Sequence, residues 1–264
     1  MAGPKIHLQG IEQTFVAPGT RESVQALTQV DLQIADKEFV GVVGPSGCGK
    51  STLLNVIAGF LTPTAGRVSL DGAPVTGPGP DRGVVFQEPT LFPWLNTFDN
   101  VTFGPRMRGV SAAEYSAAAH DVLRRVGLEG FERTLPKNLS GGMRQRVALA
   151  RVLVADPQVL LMDEPFGALD AQTRTIMQEL LQRIWDRDHK TVLFITHDVE
   201  EAIFLADRVI IMTARPGRIK QEIRVTLPRP RTLETLTTPE FMALKRSLLE
   251  LIREEAAAAV AQGF

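Results

Sequence analysis

This chain of 264 residues has little of several things that would assign a protein to a class at once. Its one cysteine, Cys48, excludes an internal disulfide framework and cysteine-rich zinc sites. Its apolar runs, such as residues 159–162, are far shorter than the roughly 18 residues that a membrane span needs. No signal-peptide core follows Met1. We therefore expect a soluble or peripheral protein made in the cytoplasm.

The chain also lacks an excess of charge of either sign. Its 29 Lys and Arg residues nearly balance 30 Asp and Glu residues, which gives a net charge of −1. Without a basic surplus, nucleic acid is not an expected partner. The hydrophobic share of 44% and the charged share of 22% are those of an ordinary globular protein. The length allows one large domain with a subdomain and a sizeable core.

What the chain does have is a glycine-rich loop between a predicted strand and a predicted helix. Residues 39–43 form a continuously apolar run rich in β-branched valine, typical of a buried parallel strand, and residues 51–60 have a helical pattern. The loop that follows the strand, together with the first residues of the helix, matches G-x-x-x-x-G-K-[ST]. Its sequence is Gly44-Pro45-Ser46-Gly47-Cys48-Gly49-Lys50-Ser51-Thr52. Its backbone N–H groups would wrap phosphates, Lys50 would neutralise them, and the Ser51 hydroxyl would reach Mg²⁺. The loop predicts that ATP and Mg²⁺ bind here, with Cys48 as a small residue filling the loop rather than a catalytic thiol.

A second apolar strand, residues 159–162, ends in two carboxylates, Asp163 and Glu164. Alternation along a strand points these side chains in opposite directions, so we expect them to do different work. Asp163 suits binding of Mg²⁺. Glu164 suits a general base that polarises the attacking water. The structural alternative, an acidic pair that caps a helix, loses weight beside a phosphate loop.

Two further polar residues follow predicted strands. Gln87 follows residues 83–86, and His197 follows residues 192–195. Because ligands of α/β proteins bind at the carboxyl edge of the sheet, both should lie near the phosphate loop. The Gln87 amide could contact both Mg²⁺ and the attacking water. His197 could donate a hydrogen bond to the γ-phosphate and keep water and base in line.

Ser140-Gly141-Gly142 directly precedes a predicted helix that extends to about residue 154. A hydroxyl, bare backbone N–H groups and a helix N-terminus together attract phosphate. The chain already has a phosphate loop, so this element predicts a second anion site.

Three other features allow two interpretations each. Phe15 could stack on adenine or pack in the core. Asp170 could act in the site or only cap the predicted helix 171–188, and both roles are compatible. Leu91, Phe92 and Trp94 lie beside prolines and could belong to the core or line a docking groove.

The order of elements predicts an α/β fold with a mostly parallel sheet. Further strands are predicted at 6–15, 30–34, 68–70 and 209–212, and no strand is evident between 88 and 155, where residues 112–126 are helical. We expect a helical insertion there. Beyond Pro216, residues 224–227 suggest a strand. Helical spacing follows at Phe241, Leu244, Leu248 and Leu251, from a docking helix or a regulatory segment.

These motifs, in this order and spacing over residues 5–215, resemble the ATP-binding subunit of ABC transporters. The resemblance implies a RecA-like P-loop NTPase core with an antiparallel N-terminal β part, a helical subdomain and a C-terminal helical tail. It divides the chain into an ATP-binding core at 1–87 and 156–225, a signature subdomain at 88–155 and a tail at 226–264. It further implies that two chains pack head to tail, with Ser140, Gly141 and Gly142 on the γ-phosphate held by the other chain and Asp170 at the seam. Phe15 replaces the commoner tyrosine of the family, which keeps stacking and loses a hydroxyl.

Several short sequence segments resemble those of the ATP-binding subunits of importers of sulfonates, taurine or nitrate. They include Leu91-Phe92-Pro93-Trp94 and Arg215-Pro216-Gly217-Arg218-Ile219. The resemblance then implies a membrane permease as partner, whose short helix docks near Trp94, and indirectly a periplasmic or extracellular solute-binding protein. The expected place is the cytoplasmic face of a bacterial inner membrane. The alternatives are an exporter ATPase, a soluble ABC protein of DNA repair or translation, and a scaffold that does not turn over. The last is disfavoured by Glu164, Gln87 and His197.

Overall fold

The computed structural model describes residues 3–16, 19 and 23–261. The chain divides into two compact units, one formed by Met1–Gly79 with His189–Phe264 and the other by Pro80–Asp188. The predicted helical segment 88–155 lies inside the second unit. The predicted domain boundaries stay a prediction.

The regular elements alternate between strands and helices through most of the chain. In order they are β1 (Ile6–Val16), β2 (Ser23–Ile34), β3 (Phe39–Val43), α1 (Lys50–Ala58), β4 (Ala65–Leu70), β5 (Ala73–Pro74), β6 (Arg82–Val85), α2 (Thr97–Met107), α3 (Ala112–Arg125), α4 (Gly141–Leu153), β7 (Val159–Asp163), α5 (Ala171–Asp188), β8 (Thr191–Ile195), α6 (Val199–Leu205), β9 (Arg208–Met212), β10 (Ile219–Arg224) and α7 (Pro239–Ala261). Short 3-10 helices lie at Pro136–Asn138 and Leu233–Thr237. Among the described residues, no helix combines the length and the apolar character that crossing a bilayer requires.

The first unit contains an antiparallel sheet and a mostly parallel one. Strands β2, β1, β4 and β5 are neighbours in that order in the antiparallel sheet. In the other, β3 pairs in parallel with both β8 and β9, and β10 adds antiparallel to β9. Strands β3 and β8 are buried along their whole length, as their unbroken apolar runs predict. Val42 is in register with Ile195, so the segments that follow β3 and β8 leave the sheet at the same edge.

In the second unit, β6 and β7 pair in parallel over four residues, from Arg82 opposite Val159 to Val85 opposite Met162. The segments that carry Gln87 and Asp163 therefore also leave their strands side by side. The helical character of residues 88–155 is confirmed by α2, α3 and α4. The prediction missed α2, whose interior holds Gly104 and Pro105, residues that disfavour helix in sequence-based reasoning.

Two parts of the tail differ from expectation. The strand predicted at 224–227 is wrong, because β10 ends at Arg224. A short turn after Met212 returns the chain antiparallel to β9, so pairing starts at Ile219. The helix predicted from Phe241, Leu244, Leu248 and Leu251 is confirmed as α7, with Phe241 and Leu248 fully buried. The short helix α6 was not predicted, and β2 starts seven residues before the predicted strand.

Candidate functional site

The phosphate loop follows β3 and leads directly into α1, as the motif predicts. Gly47 and Gly49 have positive φ angles of 72° and 98°, which side-chain-bearing residues rarely adopt. Lys50 is buried, and its ammonium donates to the backbone oxygens of Gly44 at 2.9 Å and Pro45 at 3.1 Å. The loop thus holds its lysine over its own backbone at the N-terminus of a helix, where the dipole and free N–H groups attract anions.

Cys48 lies inside this loop and is only 1% exposed. Its Sγ is 2.9 Å from where a β-carbon on Gly44 would lie, so the thiol packs beneath the loop. Burial raises the pKa of the Cys48 thiol, and the nearby Lys50 ammonium offsets this only in part. Deprotonation of the Cys48 thiol is therefore disfavoured although the thiol lies near the N-terminus of α1, which favours the space-filling interpretation of this residue.

The phosphate loop packs against a second loop, which the sequence did not lead us to assign to the site. Residues 213–218 connect β9 to β10, and Gly217 is joined to β2 by hydrogen bonds in both directions, at 2.9 Å to Ala26 and 3.1 Å from Thr28. A side chain at Gly217 would collide with the backbone oxygen of Cys48. The Arg215 Nε lies 3.4 Å from the Gly47 oxygen. The available signal was the Pro216-Gly217 pair a few residues after the buried strand β9, at the ligand-binding edge of the sheet.

His197 follows β8 and is exposed at the same sheet edge as the phosphate loop. Its position is fixed from both sides. The preceding Thr196 donates from its backbone N–H to Val42, at 3.2 Å, and from its hydroxyl to the buried Glu201, at 2.5 Å. The following Asp198 caps α6 by accepting from the N–H groups of Glu200 and Glu201. The predicted placement of His197 beside the phosphate loop's sheet edge fits this geometry.

Phe15 lies near the end of β1 with 44% of its surface exposed. The alternative of plain core packing is therefore excluded by its exposure. The ring is available for stacking on a planar ligand.

In the second unit, Gln87 and Glu164 converge on one point. A β-carbon on Gly167 would lie 3.4 Å from the Gln87 Nε2 and 3.7 Å from the Glu164 Oε2. Asp163 ends β7, and Glu164 follows it in a left-handed backbone conformation with φ of 45°. That conformation is uncommon for glutamate and has an energetic cost, which is a feature of functional sites. The structure therefore brings an amide and a carboxylate together beside Gly167.

The Ser140-Gly141-Gly142 element forms the N-terminus of α4. Ser140 is the cap, and its hydroxyl accepts from the Met143 N–H at 3.2 Å. Ser140 and Gly141 are exposed, whereas Gly142 is buried against Thr173 of α5. The first turn of this helix therefore presents a hydroxyl and backbone N–H groups to solvent.

Asp170 is hydrogen-bonded to Thr173, the residue against which Gly142 packs. Its carboxylate accepts from the Thr173 hydroxyl at 2.7 Å and from the Thr173 N–H at 2.9 Å. These hydrogen bonds, the hydroxyl's foremost, lower the pKa of the exposed Asp170 carboxyl. The predicted capping of α5 matches these contacts, and the structure places Asp170 next to the Ser140-Gly141-Gly142 element through Thr173.

The aromatic loop after Gln87 is built on a buried asparagine. Asn100 accepts from the Phe92 N–H and donates to the oxygens of Phe92, Leu95 and Asn96. The Phe92 ring packs at 4.5 Å from that of Phe103 and 5.8 Å from that of Trp94. Trp94 is 73% exposed, so the core alternative does not apply to it. A rigid loop therefore presents a large apolar side chain on the surface.

The chain is similar to several known proteins over most of its length. The model of the family described as ABC transporter matches residues 27–167. The taurine import ATP-binding protein TauB of Burkholderia thailandensis is 58% identical over 206 residues, 78% of this chain and 79% of that protein. The nitrate import ATP-binding protein NrtD of Synechocystis sp. is 48% identical over 254 residues, 94% and 96% of the two chains. A solved dimeric ATP-binding cassette in a post-hydrolysis state with ADP and Pi superposes with a TM-score of 0.74 at 33% identity, covering 84% of this chain and all of that one.

Proposed function

Since this chain belongs to the ABC transporter family and is an ATPase of that class, we propose that it powers solute import through a separate membrane permease as a head-to-tail homodimer. The observation that carries the proposal is the exposed N-terminus of α4. It offers an anion site although the chain already has a phosphate loop with its own buried lysine. A second copy of the chain supplies the phosphate that this site lacks.

ATP binds the phosphate loop of each copy. The backbone from Gly44 to Thr52 surrounds the β- and γ-phosphates, and Lys50 exchanges its two backbone acceptors for phosphate oxygens. The exposed ring of Phe15 stacks on the adenine. These contacts are properties of the first unit alone, so a single copy binds ATP.

The donor set is suited to Mg²⁺, which prefers oxygen ligands. Ser51 contributes an exposed hydroxyl, Gln87 an exposed amide and Asp163 a half-buried carboxylate at the end of β7. One carboxylate with neutral oxygens is the pattern of a magnesium site completed by substrate phosphates. When bound, the ion neutralises charge that develops on the phosphate oxygens.

Hydrolysis needs a water molecule held in line with the γ-phosphate and a group that takes its proton. The Glu164 carboxylate accepts that proton as the water oxygen attacks, and the bond from the γ-phosphorus to the bridging oxygen breaks to give ADP and phosphate. The Gln87 amide, beside Glu164 at Gly167, orients the same water. His197 donates to the γ-phosphate from the carboxyl edge of β8.

The second copy completes the site. Ser140, Gly141 and Gly142 contact the γ-phosphate held by the partner, because a helix N-terminus stabilises negative charge there. Asp170, adjacent through Thr173, lies at the seam between the copies. Binding of ATP closes the dimer and hydrolysis reopens it.

The permease contacts the loop of Leu91, Phe92 and Trp94, whose exposed indole is an anchor of the size that interfaces favour. This docking places the chain at the cytoplasmic face of the bacterial inner membrane. The names of the two relatives favour taurine, other sulfonates or nitrate-like anions as cargo, delivered by a solute-binding protein. The second candidate is the ATPase of an exporter, since the nucleotide site serves either direction.

Glu164→Gln tests the dimer. Loss of the base stalls hydrolysis with ATP bound, so this variant should elute as a dimer with ATP and Mg²⁺ and as a monomer with ADP, measured by size exclusion with light scattering. Lys50→Ala combined with Glu164→Gln is the matched control and should stay monomeric because it does not hold ATP. A Glu164→Gln protein that binds ATP and remains monomeric would contradict the sandwich.

The direction and the cargo are tested by reconstituting this chain with a permease and a solute-binding protein of a taurine, sulfonate or nitrate system. With this subunit and ATP enclosed in reconstituted vesicles, labelled taurine, an alkanesulfonate or nitrate should accumulate inside them. Export of the same solutes would favour the second candidate.

A further inference from the structure

The C-terminal helix reaches back to the loop that supports the phosphate loop. The carboxylate Oε2 of Glu255, in the last turns of α7, accepts a hydrogen bond from the Ala214 N–H at 2.9 Å. The Glu255 side chain is only 13% exposed, and Ala214 is buried. An N–H donating to a partly buried carboxylate is stronger than a neutral pair. Segments 41 residues apart in sequence are thus joined by one directional contact.

Ala214 belongs to the connection between β9 and β10 that touches the phosphate loop at two points. The next residue, Arg215, places its Nε 3.4 Å from the Gly47 oxygen. Three residues on, Gly217 packs against the Cys48 oxygen with no space for a side chain. Both contacts are with the backbone of the loop that holds the phosphates. A shift of Ala214 is therefore transmitted to that backbone.

We propose that Glu255 is a positioning residue for nucleotide binding, which holds the phosphate loop in its binding conformation through Ala214 and Arg215. This inference rests on the proposed role of the phosphate loop. A loop that is competent for only part of the time binds nucleotide more weakly by that fraction. Loss of the Glu255 contact then lowers nucleotide affinity without altering the groups that carry out the chemistry.

Two side chains next to Glu255, those of Glu254 and Lys220, supply matched controls. Lys220 pairs with Glu254 at 2.7 Å and with Glu255 at 2.9 Å. Glu254 is 65% exposed and is on the same helix turn as Glu255, with the same charge and the same cationic partner. Of the two carboxylates, Glu255 is the one shown to accept from Ala214. Glu254→Ala therefore removes one of the two ion pairs and Lys220→Ala removes both, while the Glu255 carboxylate and its Ala214 donor stay.

The experiment measures the dissociation constant of a fluorescent ADP analogue and the steady-state ATPase parameters of the full chain. Glu255→Ala should raise the dissociation constant and KM about three- to tenfold, a part of what one charge-assisted hydrogen bond can supply, with kcat nearly unchanged. Glu255→Gln retains an oxygen that can accept from Ala214, so its affinity should stay within about twofold of the parent. Glu254→Ala and Lys220→Ala should both bind like the parent.

A second variant removes the contact between Arg215 and the phosphate loop. Arg215→Ala should show the same loss of affinity, and the double variant with Glu255→Ala should be no weaker than the weaker single variant, because both act in one chain of contacts. Glu255→Ala that binds ADP like the parent would overturn the inference, as would equal losses in Glu254→Ala. If Glu255→Ala unfolds, Arg215→Ala decides, because binding of the ADP analogue by Arg215→Ala that equals the parent's would overturn the inference.

Lys50→Ala separates this inference from the proposed function. If Lys50→Ala binds the ADP analogue as well as the parent does, the assigned phosphate loop is wrong and the proposed function fails. If Lys50→Ala loses binding while Glu255→Ala keeps it, only the positioning role fails.

Discussion

Gly142 packs directly on Thr173, and a β-carbon at position 142 would lie 2.5 Å from the Thr173 Cγ2. Thr173 is held in place by two hydrogen bonds to Asp170. The N-terminus of α4 is thereby attached to the N-terminus of α5 at a point that admits no side chain. Gly142, the second glycine of the Ser140-Gly141-Gly142 element, is therefore needed for packing, independently of any contact with phosphate.

Gly142→Ala tests this packing. In a helix, alanine is ordinarily favoured over glycine by about 1 kcal/mol, but here the added methyl group should destabilise the protein by about 1–3 kcal/mol. Thr173→Ser removes the opposing Cγ2 and keeps the hydroxyl on Asp170, so the double variant should regain most of the loss. Urea unfolding measures both. Gly141→Ala is the control, since its β-carbon would meet no atom closer than 3.9 Å, and destabilisation equal to that of Gly142→Ala would contradict the steric argument.

Ser140→Arg tests the contribution of one copy to the other's site. The bulky cation should block the approach of a partner at the α4 N-terminus and abolish turnover, while equilibrium binding of ATP to the monomer stays nearly intact. Ser111→Arg is the control, because Ser111 caps α3 with the same kind of hydrogen bond, a contribution of about 1 kcal/mol, and has no assigned role in catalysis. Equal loss of turnover and of binding in Ser140→Arg would place Ser140 in its own chain's site instead.

Trp94→Ala tests the docking surface. The indole is exposed and packs on Phe92, so its removal should leave the loop built on Asn100 intact and basal ATPase within about twofold of the parent, as for surface substitutions in general. Transport by the reconstituted permease complex should fall far more, because interface aromatics contribute strongly to binding. Leu233→Ala removes another exposed apolar side chain, 50% exposed, from the first unit and should leave transport unchanged. A greater loss of basal ATPase than of coupling would exclude the docking role.

Cys48 allows a pH-dependent test with a single thiol in the chain. Burial raises its pKa, so at any given pH a smaller fraction is thiolate than in an ordinary cysteine, and only the thiolate reacts with iodoacetamide. Alkylation of the folded protein should therefore be slow at neutral pH and continue to rise above the usual thiol pKa of about 8.5. ATP should slow it further, and the alkylated protein should lose ATPase activity because Gly44 leaves no space for the adduct. Reaction at neutral pH as fast as that of a free thiol, or full activity after complete alkylation, would contradict the packing of Cys48.

Local patterns predicted a large part of the molecule. The strand and helix around the phosphate loop, the helix Ala171–Asp188 and the α4 helix behind Ser140 all follow from short runs of sequence. Such patterns are reliable because a few neighbouring residues decide the backbone conformation there. The prediction failed in the tail, where the position of β10 depends on pairing with β9 rather than on the composition of residues 224–227.

The sequence by itself determined the family, the phosphate loop and the order of the motifs, since these are encoded in contiguous residues. The convergence of Gln87 and Glu164 at Gly167, the attachment of Gly142 to Thr173 and the contact of Glu255 with Ala214 were decided only by the tertiary structure. Each of these contacts joins segments whose separation depends on how strands and helices pack. No run of neighbouring residues contains that information, because a directional contact of about 3 Å requires both backbones to be placed first.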